Sequence, residues 1–513
     1  MKKLGVALGL LATTWALALG GVKGGWVTCW PAAVALVGIL LSRQAIVGLA
    51  AGVLAGALLL AQGRPVEMVR VAMEEHGFPS LEGSWHVGAL VFTLLLGAFA
   101  GVLESSGGFA AILQRMLGRG AADRRVLGSA YAMGLLCFFD GLANSLLVGR
   151  ICRQAADRAG VSREKLAWVV DSTSSPVACV AFVSTWIATQ LTLIGDSLPG
   201  ADAYGLYFRS IGANPYCVLT LLLIPVAVFF RWEPGPMKGA RAVDLGDDKE
   251  AMVATAAWRA VVPLMVLAGS IAISLQWFSG NPVRVLSLDA WRQAASSSAG
   301  PVALVTGAVA GLLAAWGCHP RRDRAGAAAV AGAAGLLPAL VILVLAWTLG
   351  SVFQAMGAAE ALQGTLGRHV AAPWLPLAVF GTAALTSFAT GSSWGTMALV
   401  MPLALGLATA QAGFDPAALP AVIGAVFGGA VFGDHASPFS DTTIVSALAS
   451  GCEPVAHVAT QWPYAAVVAA VSAGVYALMA VGCAAPLATG LGALGLLGGV
   501  VVACRRASFS NRQ

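Results

Sequence analysis

The chain has 513 residues, 58% of them hydrophobic and only 11% charged, whereas soluble domains run at roughly 45–50% apolar and about 25% charged. That balance excludes a soluble enzyme, a disordered chain and a secreted disulfide scaffold, and it leaves a polytopic membrane protein. The net charge of +6 fits positive cytoplasmic loops and gives no nucleic-acid-binding surface. Nine cysteines are scattered without a CxxC pair, so neither a metal nor a disulfide framework is expected.

Lys2 and Lys3 precede an apolar stretch from Leu4 to Gly20, and residues 1–25 read as a signal peptide or a first spanning helix. Further apolar segments follow at 27–41, 45–62, 87–106, 126–149, 166–195, 214–230, 258–277, 300–317, 334–353, 374–389, 395–412, 419–432, 464–484 and 486–503. In lipid every backbone polar group must be satisfied within the segment, so these are helices. Polar stretches at 63–85, 231–256 and 278–299 separate some of them, and a basic tail closes the chain.

Two basic stretches suggest one unusual element. Arg115, Arg119, Arg124 and Arg125 stand against Asp123 alone, and Arg150, Arg153, Arg158, Arg163 and Lys165 against Asp157 and Glu164. Both read as cytoplasmic, yet only the segment 126–149 lies between them. A re-entrant hairpin with its tip near Asp140-Gly141 keeps both ends inside. The chain also repeats itself weakly. At an offset of 250, Phe138 falls on Phe388, Asp140-Gly141 on Thr390-Gly391 and Asn144-Ser145 on Trp394-Gly395. Ser175-Pro176 meets Ser437-Pro438 at an offset of 262, which places an insertion at 408–420. Paired repeats with a site between them are a transporter architecture.

The expected fold is an all-α polytopic membrane protein with two structural repeats, a re-entrant hairpin and broken helices. Residues 86–231 and 334–484 form the repeats; 26–85, 232–333 and 485–513 supply the N-terminal helices, the linking elements and a C-terminal helix with its basic tail.

Five acids lie within the apolar segments or their broken middles: Glu104, Asp140, Asp171, Asp434 and Asp441. Placing a carboxylate at the bilayer centre costs at least about 2.5–3.5 kcal/mol, and no Lys or Arg within these segments offsets it. A cation or proton site is the default reading. Oxygen-bearing residues crowd the same places: Asn144 beside Asp140, Thr173, Ser174 and Ser175 after Asp171, Thr390, Ser392 and Ser393 around Gly391, and His435, Ser437 and Thr442 around Asp434 and Asp441. Pro176, Gly391 and Pro438 are expected to interrupt helices there and free carbonyls, and a hard cation wants several oxygens. Asp171, Asp434, Ser175 and Ser437 are the expected Na⁺ ligands. Other readings remain open. Asp140 and Asp171 can cap helices, Glu104 can reach headgroups, His435 can carry a proton or simply pack, and His457, at a segment edge, reads as structural.

The residues also resemble a known family. Gly433-Asp-His-Ala-Ser-Pro-Phe-Ser-Asp-Thr-Thr443 looks like the signature of the NhaC family of Na⁺/H⁺ antiporters. Phe138–Gly149, Ser162–Thr173, Ser184–Ile187, Ala389–Thr396 and Thr460–Tyr464 resemble further blocks, over about residues 30–485. The resemblance implies secondary antiport of Na⁺ against H⁺, with inverted repeats, hairpins and broken helices. Relatives also exchange malate against lactate. One departure stands out: many relatives read Asp-Asp-Tyr-Ala-Asn where this chain reads Asp140-Gly-Leu-Ala-Asn144, one carboxylate fewer.

The expected function is therefore exchange of Na⁺ or Li⁺ for H⁺ across the cytoplasmic (inner) membrane by alternating access. No enzyme activity and no resident cofactor are expected, and the partners are the two ions, the bilayer and a second copy in a homodimer. The alternative is a Na⁺- or H⁺-coupled exchanger of a small organic acid or amine. The chain lacks a phosphate-binding Gly-x-x-x-x-Gly-Lys-Ser/Thr loop, and neither Gly391-Ser-Ser-Trp394 nor Val431-Phe-Gly-Asp434 matches an intramembrane protease motif.

Overall fold

The computed structural model describes residues 2–20, 25–42, 44–118, 122–181, 184–242, 254–280, 290, 294, 299–358, 361, 369–438 and 440–510. Arg119 and the acidic loop 244–250 lie outside them. Among the described residues the structure is helical and holds no strand. Among those residues ten helices are long and apolar enough to cross a membrane, or eleven if one bent pair counts as a span.

The first half runs α1 (Lys2–Leu19), α2 (Trp30–Ser42), α3 (Ala45–Leu60), the short α4 (Pro65–Arg70), α5 (Ser84–Ser105) and α6 (Gly108–Leu117). Then come α7 (Asp123–Leu136), α8 (Gly141–Arg158), α9 (Arg163–Val180), α10 (Thr185–Ser197), α11 (Ala203–Gly212) and α12 (Pro215–Phe230). The second half runs α13 (Trp258–Phe278), α14 (Gly300–Cys318), α15 (Arg322–Gly335), α16 (Leu337–Met356), α17 (Leu375–Thr390) and α18 (Ser393–Ala410). It ends in α19 (Leu419–Ala436), α20 (Asp441–Ser450), α21 (Pro454–Ala480) and α22 (Ala485–Ser510).

The predicted hairpin is α7–α8. Asp123, at the start of α7, pairs with Arg231 at 2.9 Å. Lys165, at the start of α9, pairs with Glu233. Arg231 and Glu233 are two residues apart, so α7 begins on the face where α8 ends and α9 begins. Residues 137–140 form the tip. A second hairpin is α17–α18, where the side chain of Gln411 donates to the carbonyl of Val370 at 2.7 Å and joins the two outer ends. Gly391 makes the turn at φ +67°, a left-handed conformation that suits a residue without Cβ.

Each hairpin precedes a span broken in mid-course. The first, α9–α10, bends by 45°. The second ends its first helix, α19, at Ala436 and resumes as α20 at Asp441. Arg163 at the start of α9 donates to the carbonyl of Gly451 just past α20 at 3.1 Å, so the two spans run antiparallel. Trp186 of α10 meets Trp394 of α18 at 5.9 Å between ring centroids, and Asp196 and Pro402 border one cavity. These two helices therefore run side by side toward the face opposite Arg163. The first hairpin opens on the Arg163 face and the second on the other.

Three expectations are corrected. Pro176 does not interrupt its helix; it lies inside α9, which runs on to Val180. The segment expected from 464 begins at Pro454, which places His457 inside α21, fully buried. Glu104 does have a basic neighbour, with Arg150 at 3.8 Å across from α8.

Small residues bring these elements close. A Cβ on Gly433 would stand 2.4 Å from the backbone nitrogen of Phe388 and from Ser387 Cβ. A Cβ on Gly429 would stand 2.6 Å from the carbonyl of Phe380. α19 and α17 thus touch backbone to backbone, the small-residue packing that membrane helices use in place of a hydrophobic driving force.

Candidate functional site

The breaks create the site's local chemistry. Asp140 caps α8 by accepting from the Ala143 N–H at 2.7 Å. Ser184 caps α10 through Ile187 at 3.1 Å, Ser392 caps α18 through Gly395 at 3.1 Å, and Ser440 caps α20 through Thr443 at 3.5 Å. At the same breaks α7, α9, α17 and α19 end. Helix starts carry partial positive charge and helix ends partial negative charge, so both ion signs find complementary dipoles near the breaks.

Asp171, on α9, is fully buried and held from two helices of the second half. Oδ1 accepts from Ser446 at 3.1 Å. Oδ2 accepts from Thr443 at 3.1 Å, from the Gln461 amide at 2.6 Å and from His457 Nε2 at 3.3 Å. Asp434, near the end of α19, is also buried, and its partners are hydroxyls. Ser175 and Thr442 each donate to Oδ2 at 3.0 Å, and Ser440 donates to Oδ1.

Two side chains join the carboxylates. The Thr443 hydroxyl lies 3.1 Å from Asp171 Oδ2 and 3.1 Å from the carbonyl of Asp434. A hydroxyl has a single proton, so it cannot serve both acceptors fully, and this junction is rich in oxygen lone pairs. Gln461 Nε2 bridges Asp171 and the carbonyl of His435, the latter at 2.8 Å. His435 Nδ1 meets the Tyr216 hydroxyl at 3.1 Å. A cavity of about 10 Å³ lies against His435, Gln461, Ser172 and Tyr216, at the lower limit for one water. Asn144 Oδ1, His435 Nε2, His457 Nδ1 and Gln461 Oε1 are buried with no hydrogen-bond partner among the described residues. Buried polar atoms of this kind are uncommon and ask for an ion or a water.

The remaining predicted residues fall in three places. Ser174 and Thr173 turn to their own helix: Ser174 donates to the Asp171 carbonyl at 3.0 Å, and Thr173 donates to Val169 and Val170. Asn144 ties α8 to the carbonyl of Gly134 on α7 at 2.8 Å. Asp140 sits at the first hairpin tip, where its Oδ2 accepts from Thr185 at 2.9 Å. Ser437 is fully buried at the second break. Thr390, Ser392 and Ser393 form the second hairpin tip, where Thr390 Oγ1 accepts from the Ser392 N–H at 3.3 Å. No hydrogen bond among the described residues links that tip to Asp171 or Asp434. Asp441 begins α20, and its side chain lies outside the described ones.

The sequence reading took His457 as structural and named no role for Gln461, Thr443, Ser446 or Ser440. A signal was available. His457 and Gln461 are four apart, on one face of a helix, within an otherwise apolar stretch. Thr443, which closes the second acidic motif, and Ser446 are three apart on one helix face.

Comparison with known proteins agrees with this architecture. The model of the Na⁺/H⁺ antiporter family matches residues 177–481, more than half of the chain. An uncharacterized protein of Haemophilus influenzae is 27% identical over 464 residues, covering 86% of this chain and 88% of its own. A Malate-2H⁺/Na⁺-lactate antiporter of Bacillus subtilis is 38% identical over 84 residues, covering 16% of this chain and 17% of its own. Among solved structures, the YdaH transporter of Alcanivorax borkumensis superposes with a TM-score of 0.54 at 18% identity, covering 83% of this chain and 89% of the other. MtrF of Neisseria gonorrhoeae, described within a class of antimetabolite efflux pumps, gives 0.52 at 12% identity, covering 83% and 85%. The latter two share the fold. This multi-pass membrane protein is a secondary transporter, and it belongs to the Na⁺/H⁺ antiporter family.

Proposed function

We propose that the chain exchanges Na⁺, or Li⁺, for H⁺ across the cytoplasmic membrane by alternating access, with no resident cofactor. The observation that carries this reading is the pair of buried carboxylates, Asp171 and Asp434, one on each antiparallel broken span and joined through Thr443. Hydroxyl ligands suit a hard monovalent cation, because each can turn a lone pair toward it when the proton turns away. The same carboxylates accept a proton, so cation and proton compete for one place and exchange follows without ATP. Residues 86–231 and 334–484 act as inverted repeats in this reading, each contributing a hairpin and a broken span. Rocking of one against the other exposes the site to either face in turn.

A second reading is exchange of a small organic acid. It is favoured by the likeness to the malate and lactate antiporter and by a cavity of about 340 Å³ bordered by α5, α10, α16 and α18, within the usual range for small-molecule pockets. Uptake of ²²Na⁺ into proteoliposomes under an imposed pH gradient separates the two. Under the leading reading uptake follows the pH gradient and ignores added malate and lactate. Uptake that requires either acid on the opposite side transfers the assignment to the organic-acid exchanger.

A further inference from the structure

The 340 Å³ cavity lies at the end of α10 on the face opposite Arg163. That face is external if the basic Arg163 face is cytoplasmic. At its wall His86, in the first turn of α5, is held at both ring nitrogens. Nδ1 lies 2.8 Å from the carbonyl of Glu82, and a carbonyl only accepts, so Nδ1 carries a proton. Nε2 lies 3.0 Å from Asp196 Oδ2, in the last turn of α10. With Nδ1 already protonated, Nε2 of a neutral ring offers only a lone pair. The contact with the carboxylate therefore needs one additional proton between the two. The His86 ring also stands edge-on to Trp347 of α16 at 4.3 Å between centroids. Gln354 of α16 donates to the Asp196 carbonyl at 2.9 Å.

We propose that His86 and Asp196 form a proton-operated latch that fastens the outer end of α10 to α5 and α16. When the shared proton leaves to external water, two lone pairs face each other across the contact, the pair separates and the end of α10 is released. α10 carries this change inward. Its thirteen residues span roughly 20 Å at 1.5 Å per residue. At its inner end Thr185 bonds both the carbonyl of Phe139 and the side chain of Asp140, while Trp186 packs on Trp394. One rigid helix thus connects the latch to both hairpin tips, and external acid holds it in the fastened position.

The other charged and titratable groups around the latch among the described residues are few. Glu82 lies on the loop leading to His86 and presents its carbonyl. His76, on the neighbouring turn, binds Ser351 of α16 through Nδ1 at 2.8 Å. Burial lowers the pKa of His76. α18 contributes Pro402 to the cavity.

The test uses full-length protein in liposomes with Ser197, which lines the cavity, changed to cysteine. A membrane-impermeant maleimide is applied from outside between pH 5.5 and 8.5. Each labelling rate is divided by that of the same cysteine in a His86→Gln background, which cancels the intrinsic pH dependence of the thiol. The latch predicts a ratio near one at high pH and a fall of about fivefold at low pH, the factor a partly exposed ion pair supplies. Asp196→Asn in place of His86→Gln gives the same profile. A ratio independent of pH in both backgrounds overturns the proposal.

Discussion

Asp171 and Asp434 are both buried, but their partners differ in kind. Asp171 takes two nitrogen donors from α21 beside two hydroxyls, whereas Asp434 takes three hydroxyls. Removing a donor from a buried charge costs about 1.5–3 kcal/mol. Gln461→Ala is therefore expected to lower the thermal unfolding midpoint in detergent measurably, with Gln461→Glu worse because it sets a like charge on Asp171. An unchanged midpoint in both variants would show that Asp171 does not depend on the bridge. For transport, Asp434→Asn and Asp171→Asn are each expected to reduce Na⁺-driven proton flux by tenfold or more, on the same energetic scale. Full flux in both variants removes the carboxylates from the mechanism. The carboxylates themselves were legible in the sequence, because an acid in an apolar run is costly and therefore conspicuous. Their partners were not. His457 sits where the apolar run had not yet begun on a hydropathy reading, and only the start of α21 at Pro454 places it inside the bundle.

Hairpins and broken spans are the elements that build the site, and close backbone contact holds them. Gly433→Ala would drive a Cβ to 2.4 Å from the Phe388 backbone, forcing α19 away from α17 at a cost of about 1–3 kcal/mol. Gly381→Ala, on α17 with open space around it, is expected to be silent. Thermal unfolding and transport of the two variants compare the sites directly, and equal behaviour contradicts the packing account. The first hairpin was readable from charge alone, because basic clusters flanked a single apolar segment. The second was hinted at by the weak repeat and by the interruption expected at Gly391. Pro176 misled for a physical reason. Proline removes one N–H, but a membrane helix tolerates it where the freed carbonyl finds another partner, and α9 runs on to Val180.

Across the whole molecule, the two halves present opposite faces. Arg163 ties the start of α9 to Gly451 beyond α20, while Gln411 ties the ends of the second hairpin. Single cysteines at Arg158 and Glu453 are expected to react with an impermeant maleimide only from the cytoplasmic side, and at Ala201 and Ala412 only from outside. Reaction of Arg158→Cys and Ala412→Cys from the same side would break the antiparallel arrangement. Composition alone announced the membrane class, and the acidic motifs announced where the breaks meet. Which helices touch was not written in any local pattern, because these packings are set by small residues whose spacing is unremarkable in a chain with 62 glycines.

Under the proposed function, Na⁺ and H⁺ exchange at the paired carboxylates. The most direct measurement places purified protein in liposomes with a trapped pH dye, imposes an outward Na⁺ gradient at zero membrane potential and records internal pH beside Asp434→Asn. Exchange predicts internal acidification by the wild-type protein and none by the variant. A wild-type protein that is folded and inserted yet leaves internal pH unchanged contradicts the account.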